Sequence, residues 1–410
     1  MTYTANLWKL YVFRFFSSLI PAYVIERLYW EERGMTIQMV VYTEIIYAIT
    51  IVLLEVPTGI IADKWGRRHL LVLSALLGCA EFLILVYATE FWHFALVVFL
   101  AGISRSASSG AENALLYDTL LLQGRAADFE RQLGRLNACD FLSAMLAALC
   151  GSWLASRFGL ELNYWISLGS AGIALLVSLL LIEPPCGSSL KASPSSEPSS
   201  DPSLEPSDPE QHAPSFREYV TVSLRFFGAN PGLRLVLLTG MITGTAVGFI
   251  DEFWQLYANR LELPVVYFGV LSAGLMVMRL PGNLLAHALL RRFRYRTLLL
   301  SVLLASTAGF AVLAASPSYA GLPAMLVICL FSGVMEPLAS GYLHHRIDSS
   351  MRATMDSFQS LGLNAVHILA GLGFGYCSTR FDIFGGYGFL ALLCGVFLLW
   401  FLAAARRIEG

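Results

Sequence analysis

Charge is what this chain lacks. Of 410 residues, 14% are charged and 56% are hydrophobic, with a mean hydropathy of +0.64. A soluble domain carries about 25% charged residues. The shortfall is too large for a single buried core, which excludes an ordinary soluble globule and points to a polytopic membrane protein. Cysteine is also sparse. Six of the seven (Cys79, Cys139, Cys150, Cys329, Cys377 and Cys394) stand in apolar runs without paired spacing. That leaves no disulfide frame and no zinc pattern, and reads as buried free thiols. A Walker phosphate loop, a metal-ligand run and a nucleophile–base constellation are all missing. The expectation is therefore a non-enzyme without cofactor or metal, and without a nucleic-acid partner. The opening MTYTANLWKLYVFRFF carries no cleavable signal pattern, so its apolar segment is expected to remain as a span.

What is present is a series of apolar runs, each near the roughly 20 residues that cross a bilayer as a helix. Twelve are expected, at 6–28, 36–62, 69–89, 92–122, 135–157 and 162–182, then 233–258, 264–290, 296–315, 320–346, 353–378 and 384–405. Between the sets lies PPCGSSLKASPSSEPSSDPSLEPSDPEQHAP, which holds 8 of the 16 prolines and five acidic residues against one lysine. Such a segment cannot bury a core and reads as a disordered linker. The expected units are a six-helix bundle at 1–182, a linker at 183–215, an amphipathic lead-in helix at 216–231 and a second bundle at 232–410. The lead-in places Phe216, Val220, Leu224 and Phe227 on one side, as for a helix on the membrane surface.

Lysine and arginine in short loops set orientation. With both termini inside, fourteen such residues fall inside, among them Lys64, Arg67, Arg68, Arg291 and Arg292. Only Arg27, Arg33, Arg157, Arg260 and Arg380 fall outside. The termini and linker are expected in the cytoplasm of a cell with an inner membrane.

The halves echo one another. At a shift of 224 residues, LEVPTGIIADKWGRR (Leu54 to Arg68) meets MRLPGNLLAHALLRR (Met278 to Arg292), with Pro57 on Pro281, Ala62 on Ala286 and the arginine pairs coincident. SSGAEN in span four resembles FSGVMEP in span ten at nearly the same shift. Two such repeats with a flexible linker form a known transporter plan, in which substrate sits near the midplane between halves. GIIADKWGRR resembles the signature of the major facilitator superfamily, here Gly59, Asp63, Lys64, Gly66, Arg67 and Arg68. In the second copy His287 stands in place of the aspartate and Leu290 in place of the second glycine. The resemblance implies an all-α integral membrane protein of 12 transmembrane helices in two pseudo-symmetric six-helix bundles. It also implies a gate on the cytoplasmic side, closed and opened by the signature's contacts. Glycine permits the tight turn, and Asp63 is suited to the N-terminus of a helix in the other half. The alternative is that these charges serve topology alone.

Charge inside a span is costly and faces a partner or an aqueous cavity. Glu44 and Glu55 lie eleven apart on span two, about 16 Å along one face. The repeat sets Arg279 opposite Glu55, as a latch or a static pair. Arg105 and Glu112, seven apart on span four, share a face and resemble the proton site of coupled members, although Gly110 falls five rather than four residues after the arginine. Asp118 is placed to pair with Arg67 in the gate. Asp251 and Glu252 stand beside Phe253, Trp254 and Tyr257, a setting for an organic cation through charge and cation–π attraction, or an outer-mouth pair with interfacial aromatics. Arg14 and Asp140 join the expected cavity. Glu81 and His367 read as core residues with satisfied hydrogen bonds.

The proton-coupling set is therefore Glu112, Arg105 and Glu55. The cavity set is Arg14, Glu44, Glu55, Asp140, Asp251, Glu252, Trp254 and Arg279. The resemblance is closest to drug:proton antiporters of the multidrug-efflux type, and implies a monomer that exchanges protons for a small amphipathic or cationic molecule across the lipid bilayer. AALCGSWLASRFG in span five lacks the Gly-Pro pair of those members, and sugar-porter signatures are absent. Uptake of a nutrient or organic ion, and a non-transporting sensor or scaffold, are the rival readings.

Overall fold

In hydrocarbon every backbone polar group must be satisfied within its own segment, so the apolar runs become helices. The computed structural model describes residues 4–184, 231–315, 317–344 and 352–406, and is all-helical among them. The first half contains α1 (Thr4–Ser18), α2 (Glu26–Glu32), α3 (Ile37–Trp65), α4 (Arg67–Tyr87), α5 (Phe91–Leu122), α6 (Phe129–Phe158) and α7 (Glu161–Leu179). The second contains α8 (Pro231–Arg260), α9 (Phe268–Arg292), α10 (Tyr295–Ala315), α11 (Gly321–His344) and α12 (Arg352–Arg406). Most of the expected linker and lead-in helix (185–230) lies outside the described residues, as do the surroundings of Gly59 and the side chains of Glu55, Asp63 and Lys64.

Ten of the described helices are long and apolar enough to cross a membrane. The remaining crossings come from two departures. The expected first span is not continuous: α1 stops at Ser18, a 3-10 turn follows over Pro21–Val24, and α2 then begins. Pro21 has no N–H and its ring opposes a continued helix, which accounts for the break. Spans eleven and twelve run end to end in α12, broken at Phe381 and Asp382, where Asp382 has φ 55°. With α1–α2 as one crossing and α12 as two, the chain makes twelve. It is an all-α integral membrane protein of two pseudo-symmetric six-helix bundles. The repeat is structural as well: Pro57 lies inside α3 and Pro281 inside α9.

Large apolar side chains point outward along the helices, among them Leu284, Leu369, Leu392, Leu399 and Trp92. On a soluble protein such a surface would aggregate; around a transmembrane bundle it meets lipid. Inside there are three cores. One belongs to the first half (Leu10, Leu71, Leu115, Leu116, Leu120) and one to the second (Leu299, Val302, Leu338, Phe401). The third spans both, joining Trp30, Tyr29 and Tyr164 to Phe249, Phe253 and Phe268. This shared core sits at the end that carries α2.

Polar contacts join the halves at the same end. Arg27 is ion-paired with Glu252, and Arg260 with Glu31. The Arg27 N–H donates to Gln255 Oε1 at 2.8 Å, and Gln255 Nε2 donates to the Tyr23 carbonyl at 2.8 Å. Ser152 Oγ donates to the Val266 carbonyl at 3.2 Å. The halves are thus closed against each other at the α2 end, with separate cores toward the other.

The six described cysteines are free, as expected, but only Cys329 and Cys394 are buried; Cys150 is exposed. The expectation of uniformly buried thiols fails because an apolar run marks a span, not the face of the span that packs inward.

Candidate functional site

Between the halves lies a cavity of about 440 Å³. Five carboxylates line it: Glu26, Glu44 and Glu81 from the first half, Asp251 and Glu252 from the second. Its aromatic wall is Tyr23, Trp30, Tyr47 and Trp254. Glu44, Asp251, Glu252 and Trp254 were expected here. Phe253 and Tyr257 were read as part of the same aromatic setting, but both are fully buried in packing. Phe253 contacts Phe374 at 4.9 Å, and Tyr257 donates to the Ser318 carbonyl at 3.1 Å. On a helix only one side of a run such as FIDEFWQLY can face the cavity.

Arg27 is the hub of the site, and the sequence reading missed it. Its position beside a span end assigned it to an outer loop. The break at Pro21 instead turns α2 so that its side chain is 4% exposed. Its Nη2 contacts Glu44 Oε1 at 2.6 Å and also pairs with Glu252, while Nη1 stands 3.9 Å from Glu26. The guanidinium lies 4.5 Å from the Trp30 ring centroid, a cation–π arrangement. One cation thus faces three carboxylates from three helices. A proline in mid-span followed by Glu-Arg was the available signal.

Arg14, Asp140 and Arg279 were expected to line the cavity, but they stand outside its lining, each committed to a partner on a neighbouring helix. Arg279 is ion-paired with Asp251 of its own half, and its Nη2 lies 3.8 Å from Cys329 Sγ. The expected pairing across the halves with Glu55 falls on a side chain outside the described residues. Arg14 binds Glu112 at 2.6 Å and approaches Asp140 at 3.6 Å, and Ser18 donates to Asp140. Glu112 therefore pairs with Arg14 of α1 and not, as expected, with Arg105. A seven-residue spacing puts Arg105 and Glu112 on one face two turns apart, whereas a neighbouring helix offers a partner at the same height. Arg105 is exposed and forms no ion pair among the described residues.

Glu81 also departs from expectation. It is 9% exposed, lines the cavity, and makes no hydrogen bond or ion pair among the described residues. His367 stacks on Phe249 with centroids 4.7 Å apart and serves packing.

At the opposite end of the bundle the signature clamps the first half. Gly66 has φ +99°, a conformation other residues resist, and makes the turn from α3 to α4. The Arg67 and Arg68 N–H groups donate to the Glu183 carboxylate at 2.9 and 2.6 Å. A carboxylate satisfies the free amides and favours the positive end of the helix. Glu183 was expected in the linker; it is a cap on α4. The Arg67 side chain pairs with Asp118, as the sequence suggested, and donates to the Ala114 carbonyl at 3.1 Å. Arg68 donates to the Leu179 carbonyl at 2.7 Å.

Comparison with known proteins places this geometry. The family model described as Major Facilitator Superfamily matches residues 7–355. The nucleoside transporter NupG has a similar structure, with a TM-score of 0.75 and 14% identity, over 99% of this chain and 100% of that one. A bacterial homolog to the human lysosomal transporter Spinster, in an inward-facing and unoccupied conformation, gives 0.68 at 16% identity over 98% and 95%. A D-xylose-proton symporter gives 0.67 at 11% identity over 97% and 96%. These likenesses concern the fold. An uncharacterized transporter of Buchnera aphidicola subsp. Schizaphis graminum (strain Sg) is 24% identical over 146 residues, 36% of each chain.

Proposed function

The chain belongs to the Major Facilitator Superfamily, a family of transporters and not enzymes, and from that premise we propose that it is a proton-coupled exporter of a small amphipathic organic cation. The observation that carries this reading is the charge balance of the cavity. Five carboxylates line it, and the cations that pair with them are Arg27 and Arg279. In a medium of low dielectric such an excess is neutralised by protons or by a bound cation. Trp30, Tyr47 and Trp254 supply faces for an aromatic or lipophilic body.

The distribution of lysine and arginine supports an orientation with the α2 end outside and both termini in the cytoplasm of an inner membrane. The halves are then closed outward. A cation entering from the cytoplasm displaces protons from the carboxylates, the halves rock to face outward, protons from that side release the cation there, and the protonated cavity turns back to the cytoplasm. The signature, with Gly59, Asp63 and Lys64 beside the Gly66, Arg67 and Asp118 clamp, forms the cytoplasmic gate. Beyond the Glu183 cap, the segment up to 215 acts as the tether between bundles, and 216–231 as the lead-in. One chain suffices for the cycle.

The test is transport by the purified chain in proteoliposomes, with ethidium as probe and a pH gradient imposed in either direction. Accumulation should follow the gradient and reverse with it. Movement of ethidium that ignores the gradient removes the coupling, and gradient-driven entry of neutral solutes without cation exchange favours uptake instead.

A further inference from the structure

Beside the main cavity is a second of about 120 Å³, set wholly within the first half. Ile20, Tyr23 and Glu81 line both, so Glu81 stands between them. Phe13 and Phe82 also border the side pocket, together with small groups such as Ser17, Ser74, Gly78 and Ser104. Ser74 and Ser104 are already committed, hydroxyl to hydroxyl at 2.9 Å and Ser104 Oγ to the Ser74 carbonyl at 3.0 Å. The Glu81 carboxylate is not: it is buried and lacks any hydrogen bond or ion pair among the described residues. The arginines that pair with the cavity carboxylates are engaged elsewhere, Arg27 by three carboxylates and Arg279 by Asp251. The pocket is polar at Glu81 and the three serines and opens beside the larger cavity.

The geometry points to an ammonium subsite: Glu81 receives the protonated primary amine at the end of a slender chain, while the aromatic body of the same molecule remains in the main cavity against Trp30, Tyr47 and Trp254. The inference rests on the cation-binding reading of the main cavity and adds the chemical class that the site favours, an arylalkylamine, whose ammonium uses a pocket that a bulky delocalised cation such as ethidium, held in the main cavity alone, leaves empty. Three features support it together. A buried carboxylate without a partner needs a donor. The pocket has about a quarter of the main cavity's volume, so it takes an end of the molecule and not its body. Its mouth opens at the same residues that border the aromatic wall. Gly78 borders the pocket, and a Cβ built there meets no atom within 4 Å, so a larger side chain has space to enter.

The experiment is equilibrium binding of two fluorescent probes to the full-length chain in detergent at fixed pH. Monodansylcadaverine carries a dansyl ring and a free amine on a five-carbon chain; its N-acetyl derivative differs only in a neutral end. The wild type should favour the free amine by about tenfold or more, the scale of one hydrogen bond to a charged group. Glu81→Gln, which keeps the shape, and Gly78→Leu, which fills the pocket without touching the carboxylate, should each bring that preference to near unity. Both should retain the affinity for the acetylated probe, which also reports folding. If either variant fails to fold, the other decides. A preference that survives both substitutions overturns the subsite and leaves the cation reading of the main cavity intact, whereas equal binding of the two probes by the wild type counts against both. Failure of the wild type to bind either probe overturns both.

Discussion

Arg27 of α2 and Glu252 of α8 form an ion pair across the two halves of the molecule. The same guanidinium holds Glu44 of α3, so one buried side chain ties three helices together. A buried charge stripped of its partners is costly, about 3–5 kcal/mol by order of magnitude. Arg27→Gln is expected to abolish transport and to lower thermal stability by several degrees. Arg27→Lys should not rescue it, because a point charge cannot reach Glu44 and Glu252 while stacking on Trp30. The discriminating variant is Arg27→Met combined with Glu44→Gln and Glu252→Gln. Its melting temperature in detergent should recover toward wild type while transport stays absent. Recovery of both would remove the network from the mechanism.

Glu112 and Arg105 separate as predictions because the structure separates them as partners. Glu112 is buried against Arg14 at 2.6 Å, whereas Arg105 has no ion pair among the described residues. Glu112→Gln is expected to uncouple the protein: ethidium should still bind, with its gradient-driven movement in proteoliposomes reduced by about tenfold or more, the scale of a removed proton-transfer group. Arg105→Gln should transport at no less than about half the wild-type rate, as for an exposed charge that forms no ion pair among the described residues. The opposite order of severity would return the coupling role to Arg105.

The fold was legible because its causes are local. Runs of twenty apolar residues, arginine-rich turns, a proline-rich break at 184–214 and the echo of Pro57 in Pro281 each announce themselves in the chain. Glu44, Asp251 and Glu252 were legible for the same reason, as charges standing in apolar runs. Arg27 was not, because its loop-like position depended on taking 6–28 as one straight helix, and Pro21 breaks it. Partners were the least legible part. Helical spacing tells which residues share a face, so it offered Arg105 to Glu112, but Arg14 arrives from another helix. Glu81 looked satisfied because most buried carboxylates are, and nothing along α4 shows that the neighbouring helices leave a gap beside it.

Gly66 and Glu183 act on one turn. Glu183 accepts from the first two amides of α4, and Gly66 holds φ +99° immediately before them. Glu183→Ala should destabilise the first half by about 1 kcal/mol, the usual worth of an N-terminal cap. Gly66→Ala should cost more, because it adds left-handed strain of about 1–2 kcal/mol and brings a Cβ to 3.1 Å from the Glu183 carboxyl carbon. Thermal unfolding of the two variants checks the order. A Gly66→Ala protein as stable as wild type would show that this turn tolerates an ordinary residue.

Arg260 closes the α2 end from the second half. It pairs with Glu31 of the first half and, at 2.5 Å, with Asp382 at the break in α12. Both pairs are partly exposed, so each is worth about 0.5 kcal/mol. Only the Glu31 pair crosses between halves, whereas the Asp382 pair holds the break against α8 and so positions the guanidinium for Glu31. Losing the crossing pair should raise the population open at this end by roughly twofold, as about 0.5 kcal/mol implies. The measurement uses a cysteine-free background with Ser272→Cys, a cavity-lining position, and a membrane-impermeant maleimide applied from the α2 side. Arg260→Ala should speed labelling by about that factor, and Asp382→Asn should give an intermediate rate. Adding Glu31→Gln to Arg260→Ala should change little, since the latch is already broken. Labelling unaffected by Arg260→Ala would mean that the shared aromatic core of Trp30, Tyr164 and Phe253 keeps this end shut without help from the ion pairs.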